Sequence, residues 1–395
     1  MEKKMRIFRI LFLAVSASII GIGIIAPFIP LYAESLGATG IWLGIIFSGF
    51  SISRGIFTPI IGKISDRIGR KIFISIGLFT YTILSIGYIL AKNEYSLTLI
   101  RFLHGFAAAM VVPIAMAYIG EISPRGMEGK YLGTFNISFF LGLGAGPLIG
   151  GFLMEWYGMS FAFYAMGGFA AFSLLLILFL LPEKQKNAPN NKEENSVSFR
   201  KILQNNTMLG VLSFRAVNAI GMSAIFAFLP IFANSIGLTV SQIGLILSLS
   251  ILLIALLQRP FGKFADKYSK IYLIIIGSII GSVPLLLIPI THNFVQLLIS
   301  ILVIGFGSAV SMPSATALIT ELGRDSGMGK AMGLFNSAMS IGWATGPLMS
   351  GILLDLFGLR SIFYFGGIIG IIGTGVFYLF IYTKRNKPLN KVSFT

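Results

Sequence analysis

The chain has no cysteine and only two histidines, His104 and His292, in 395 residues. The first absence excludes disulfides, thiolate metal sites and a cysteine nucleophile. The second leaves too few imidazoles for a histidine-rich metal site. Charge is scarce as well: 11% of residues are Asp, Glu, Lys or Arg, against about 25% in an ordinary soluble protein. Acids are the rarer sign, 14 against 30 bases, which leaves a net charge of +16. No nucleophile–base–acid set is visible, so neither an enzyme nor a bound cofactor is expected. What the chain has instead is apolar surface: 55% of residues are hydrophobic and the mean hydropathy is +0.88. A soluble domain of this composition has too few polar groups to cover itself.

A helix needs about 20 apolar residues to cross a bilayer. Twelve stretches qualify: Ile10–Ala33, Ile41–Ile61, Ile72–Ala91, Leu97–Gly120, Tyr131–Met154, Phe161–Leu181, Met208–Ala233, Ile243–Leu257, Ile271–Ile290, Val295–Thr320, Ala331–Leu354 and Ile362–Tyr382. The eighth is short, and Val240 is a better start for it. The first follows Lys3, Lys4, Arg6 and Arg9 as a secretory leader would, but its apolar run is too long and no small-residue cleavage site follows. The expected fold is an all-α membrane protein of twelve transmembrane helices. With the N-terminus in the cytoplasm, twenty-five of the thirty basic residues fall on the cytoplasmic side and only Lys92 and Arg360 outside. The positive-inside rule then puts both termini in the cytoplasm. The net charge therefore records topology in a cell membrane, and no nucleic-acid partner is expected. Three cations remain inside spans: Arg54, Arg101 and Arg215.

The segment 183–206 is rich in Asn, Glu and Lys and reads as a cytoplasmic linker between two units, 1–182 and 207–395. These units repeat at an offset of 200. Glu121, Gly129, Lys130, Gly133, Phe135, Asn136, Gly142, Gly146, Pro147, Leu148 and Gly151 each recur two hundred residues later. Gly62, Lys63, Asp66, Gly44 and Pro30 do the same. Two six-helix, pseudo-symmetric bundles in one orientation suggest a secondary transporter with its substrate path between them.

Four motifs carry chemistry. The loop after span 2 runs Gly62-Lys63-Ile64-Ser65-Asp66-Arg67-Ile68-Gly69-Arg70-Lys71, with glycines at both ends of a tight turn between antiparallel helices. Asp66, among basic neighbours, is an ionised carboxylate suited to a helix N-terminus. Its weaker copy, around Asp266, has Ser269 in place of the second glycine. Span 4 places Arg101, His104, Gly105 and Ala108 on one helix face, and a membrane arginine belongs in the protein interior. Span 5 runs Gly142-Leu143-Gly144-Ala145-Gly146-Pro147-Leu148-Ile149-Gly150-Gly151, repeated in span 11 around Gly346 and Pro347. Its spacing fits no phosphate loop. It reads as a proline-bent helix with bare backbone packed on a neighbour. Span 1 ends with Pro27 and Pro30.

Together these motifs resemble the major facilitator superfamily, and within it the twelve-span drug:proton antiporter family, over nearly the whole chain. That resemblance implies proton-coupled export by rocker-switch alternating access. It implies that Gly62, Asp66, Arg67, Gly69 and Arg70 form a latch holding the outward-open state, with Glu121 as partner of Arg70 and Asp266 as the second copy. It ties Arg101 to proton coupling, and Gly142, Gly146, Pro147, Gly150, Gly346 and Pro347 to an antiporter motif found in exporters. The chain departs from several such exporters in having no carboxylate deep in spans 1 or 7, where Ile24 and Phe226 stand; the nearest acids, Glu34, Glu155 and Asp355, lie at outer helix ends. His104 or Glu34, with Arg101, is then the candidate for carrying the proton. Arg54 and Arg215 suit either an anionic substrate or pairing with carbonyls and acids such as Asp66 and Glu121. Asn136 and Asn336, with Asn218, Gln258 and Thr345, are candidates to line the path or to bond helix to helix. The expected partners are a small-molecule substrate, protons and lipid around a monomer. Lipophilic drugs are the leading substrate class, and an endogenous anionic metabolite, sugar derivative or lipid is the alternative.

Overall fold

A computed structural model describes residues 2–124, 127–182, 204–326 and 328–382. Most of the linker 183–206, the cations Arg125, Lys384, Arg385, Lys387 and Lys391, and the side chains of Lys130 and Arg324 lie outside the described residues. Helix α1 covers Glu2–Ile25 and, after a 3-10 turn at Ala26–Phe28, resumes as Ile29–Ser35. Then follow α2 Gly40–Ile68, α3 Arg70–Leu90, α4 Glu94–Ile122, α5 Glu128–Tyr157 and α6 Met159–Leu180. The second unit holds α7 Asn206–Ser235, α8 Val240–Lys267, α9 Lys270–Leu287, α10 Phe294–Ser326, α11 Met328–Phe357 and α12 Leu359–Tyr382. Eleven of these are long and apolar enough to span a bilayer among the described residues. The twelfth, α11, has 30 residues diluted by Gly, Ser, Thr and Asn.

Several boundaries differ from the hydropathy reading. Span 1 is broken, because Pro27 lacks the N–H that would continue the ladder. Asn206 opens α7, capped by Asn205 whose side chain accepts from Met208 N, so the linker ends before it. Helix α2 runs through to Ile68, which places Gly62 inside the helix and not at a loop end. The turn into α3 is Gly69 alone, with φ +128°, a conformation that a Cβ disfavours. At the copied position Ser269 has φ −59°, so the second turn takes an ordinary backbone and needs no glycine.

Packing repeats like the sequence. In the first bundle α1 packs on α5 and α6, α2 on α4, and α3 on α4 and α6; in the second, α7 packs on α11 and α12, α8 on α10, and α9 on α10 and α12. The bundles meet along two seams, α2 with α11 and α5 with α8. Both helix termini of the chain lie on one face of the molecule, called here the terminal face; the opposite one is the far face.

Candidate functional site

The seams are built of glycine against backbone. A Cβ placed on Gly44 falls 2.6 Å from the Pro347 carbonyl oxygen, and one on Gly244 collides with the Pro147 carbonyl oxygen. Gly40 and Gly351 face each other in the same way, and a Cβ on Gly151 meets Val240 O at 2.7 Å. Ser48, buried at the α2–α11 seam, donates to Ala344 O at 2.5 Å. Follow the same helix faces toward the terminal end, three or five turns on, and the contacts stop. A Cβ at Gly55, Gly62, Gly133, Gly262 or Gly333 meets nothing within 4 Å. The bundles are therefore sealed at the far face and part toward the terminal face.

Two carboxylates cross the seal. Asp355, at the end of α11, accepts from the N–H groups of Gly40 (2.7 Å) and Ile41 (2.8 Å) at the start of α2. Glu155, at the end of α5, accepts from Ser241 N at 2.8 Å at the start of α8. The pairs 155/355 and 41/241 are related by the repeat. Each acid sits where the helix dipole presents positive partial charge. Sequence reasoning saw these acids only as helix-end residues; their equal offset was the available signal.

At the terminal face, Arg70 Nε donates to Glu121 Oε1 at 2.7 Å, and Nη2 reaches both Glu121 and Asp66 Oδ1, the latter at 2.7 Å. All three residues belong to the first bundle. Asp66 lies in the last turn of its own helix, 59% exposed, and pairs with Arg70, the first residue of α3. Arg67, exposed in that same turn, places a cation at the negative end of α2. The second bundle repeats the bridge as Lys270–Glu321 at 2.8 Å, whereas Asp266 is exposed.

Arg101 is buried, 4% exposed, in the first bundle. Its guanidinium lies 4.5 Å from the Phe50 ring centroid and 5.2 Å from that of Phe47, so two aromatic faces offset part of its desolvation. His104, one turn on, is fully buried. Its Nδ1 shares a hydrogen bond of 2.8 Å with the Tyr88 hydroxyl. The rings of Phe50, Tyr81 and Tyr88 surround it edge-on, the nearest being Tyr81 at 4.7 Å. Gly105 admits the backbone of Phe50, which a Cβ would strike. These aromatic partners carried no motif and were not expected. Glu34 is exposed at the end of α1, and the structure does not bring it to this cluster.

Arg54 and Arg215 are partly buried, less enclosed than expected. Arg215 donates to the sulfurs of Met312 (3.2 Å) and Met339 (2.6 Å) and lies 4.8 Å from the Phe335 ring centroid. Among the described residues no ion pair joins Arg54, Arg101 or Arg215 to a carboxylate. Asn136, Asn336 and Gln258 are exposed. All faces of α5 and α11 are similarly apolar, so periodicity did not separate the packed face from the open one. Thr345 bonds back to Ile341 O within its own helix.

The α5 motif packs as read. Cβ atoms on Gly142 and Gly146 fall 2.8 Å from Ile19 Cβ and 2.5 Å from Gly23 Cα, and one on Gly150 strikes the Ile24 carbonyl. Gly342 and Gly346 repeat this against Ala216 and Ile220 of α7. Helix α5 runs unbroken through Pro147, and α11 through Pro347. The motif thus serves two neighbours at once: 142, 146 and 150 pack within a bundle, 147 and 151 across the seam.

The Major Facilitator Superfamily family model matches residues 11–234 and again 211–394. The chain is 32% identical over 378 residues to an uncharacterized MFS-type transporter of Methanocaldococcus jannaschii, covering 94% of this chain and 97% of the relative. It is 28% identical over 377 residues to multidrug resistance protein 1 of Bacillus subtilis, covering 94% and 96%. Its fold is similar to that of a bacterial homologue of the human lysosomal transporter Spinster, solved inward-facing and unoccupied: TM-score 0.82, 14% identity, 95% of this chain and 96% of that one. The two matches overlap at 211–234 and between them cover both bundles. The chain is a multi-pass membrane transporter of the major facilitator superfamily.

Proposed function

We propose that this transporter exports lipophilic small molecules in exchange for protons, with both termini in the cytoplasm. The observation that carries the reading is the pair of glycine seams, sealed at the far face and parted toward the terminal face. Seams of bare backbone let two rigid bundles rock, and the same contacts repeated on both sides make the motion symmetric. With the basic residues cytoplasmic, the described state is the inward-open one. Export is supported by the glycine–proline motif of α5 and α11 and by the multidrug-resistance relative. Arg101, His104 and Tyr88 are the proposed coupling cluster, since spans 1 and 7 carry no acid.

The test is flux in proteoliposomes under an imposed pH gradient, screened over cationic, neutral and anionic lipophiles. The expected result is gradient-driven efflux that Arg101→Ala abolishes while the protein still inserts. Undiminished efflux in that variant removes Arg101 from coupling, and absence of pH-driven flux for every compound overturns the antiport reading. A second reading, export of an anionic metabolite or lipid, draws on Arg215, a partly buried cation met only by sulfur and a ring among the described residues. It predicts that anions, and not cations, are the compounds moved.

A further inference from the structure

The two bundles share a backbone plan but not an interior. Within the second bundle, between α7, α9, α10 and α12, lies a narrow hollow that reaches about 490 Å³ only when the open space at its mouth is counted. A smaller one of about 330 Å³ adjoins it toward α8, sharing Met222, Ile225 and Ile304 in its walls. The repeat shows what differs at the corresponding place in the first bundle. Leu78, Tyr81 and Met166, each 1% exposed, fill it there; their counterparts are Ser278, Gly281 and Gly366. The adjoining hollow is filled in the first bundle by Phe50, Arg101 and His104, whose counterparts are Ser250, Ile301 and Ile304.

The hollow is not a by-product of tight helix packing. A Cβ on Gly281 meets nothing nearer than Ile304 O at 3.7 Å, and one on Gly366 nothing nearer than Leu285 Cδ1 at 3.6 Å. Side chains fit there, and the sequence omits them. Neighbouring Gly277 and Gly307 are the opposite case, each with backbone of the other helix within 2.7 Å of an added Cβ. Into the cavity also faces Ser278, nine-tenths buried, whose Oγ has no hydrogen-bond partner. A buried hydroxyl left unpaired is costly, and a ligand atom there would pair it. No Asp, Glu, Lys or Arg lines either hollow, so an ion entering would lose its hydration without compensation. Apolar walls and a few hydroxyls are the lining of a small-molecule pocket.

We infer that the second bundle holds a binding pocket, distinct from the path between the bundles, for a neutral lipophile carrying one hydrogen-bonding group. The inference concerns binding only and stands whether or not transport is proton-coupled. The test uses the full chain in lipid nanodiscs, without any gradient, titrated with N-phenyl-1-naphthylamine, a neutral lipophile with one N–H whose fluorescence rises on burial. Empty nanodiscs give the partitioning baseline. The expected result is a saturable component that Ser278→Leu with Gly281→Tyr, the residues of the first bundle, weakens by ~tenfold or more. Ser278→Ala weakens it by about two- to fivefold through loss of the hydroxyl. If the double variant is not monodisperse, Gly366→Met carries the same expectation. No saturable component in the unmodified chain, or affinity unchanged in the filled variants, overturns the pocket. Failure of pH-driven flux with binding intact overturns only the antiport reading.

Discussion

The far-face seal makes a quantitative prediction. Helix α2 begins at Thr39, whose side chain caps nothing, so its first N–H groups rely on Asp355 of the other bundle. Helix α8 has its own capping box, Thr239 with Gln242, and Glu155 takes up a single backbone N–H, that of Ser241. A cap with its dipole interaction is worth about 1 kcal/mol where the carboxylate is exposed, as Asp355 is. Asp355→Asn keeps the shape and loses the charge, so it should destabilise the sealed state by about 1 kcal/mol, or about fivefold in population. Glu155→Gln should cost about half that, because the capping box remains. The two lie on separate seams, so the double variant should approach about tenfold. The absence of cysteine allows a clean assay. Ser48→Cys places one thiol in the buried seam, and its labelling rate by an impermeant maleimide from the far face follows the unsealed population. All variants are compared in that background. Equal rates, or a larger effect from Glu155→Gln than from Asp355→Asn, would refute the argument.

Gly150→Ala should lower the thermal midpoint sharply, with about 2 kcal/mol or more lost, because its Cβ meets the Ile24 backbone and neither helix has a side chain that can yield. Gly133→Ala, on the same helix with open space around it, should be neutral or stabilise by up to about 1 kcal/mol; similar melting shifts for the two would contradict the packing account. Tyr88→Phe removes the partner of His104 Nδ1 in a buried ring and should cost about 1–3 kcal/mol in thermal unfolding and reduce gradient-driven efflux at equal protein level. Unchanged values for both measurements would detach the cluster from stability and coupling alike.

How far the sequence leads can be judged from particular residues. Hydropathy located all twelve helices because it reports the solvent around them, and it misplaced their ends because a helix ends where backbone hydrogen bonds end. Gly62 and Ile68 show the difference: both lie past the apolar run and both are helical. The α5 glycines pack as expected, since small residues every fourth position leave one close approach per turn. Glu155 and Asp355 were visible, but a cap supplied from 315 residues away has no local signature. Asn136 and Asn336 lie about three turns from Pro147 and Pro347, on the faces where the bundles part, and are exposed there; periodicity alone does not show that face.

The repeat resolves what single motifs do not. Where both copies agree, as in Gly44 and Gly244 or Pro147 and Pro347, the residue serves the symmetric motion, since each seam must move as the other does. Where they disagree, symmetry cannot be the reason for the residue, and a role specific to one bundle must be. Arg101 opposite Ile301, His104 opposite Ile304 and Tyr81 opposite Gly281 all fall at one depth in one region. The first bundle spends that space on a caged cation and a hydrogen-bonded imidazole; the second leaves it hollow and uncharged. A buried cation and a neutral lipophile need interiors of opposite character, because a cavity that suits one leaves the other without compensation for its lost hydration or its apolar contacts. The prediction peculiar to this division is that exchanging the residues at 81 and 281 lowers both gradient-driven efflux in proteoliposomes and saturable N-phenyl-1-naphthylamine binding in nanodiscs, whereas Gly281→Tyr alone lowers only the binding.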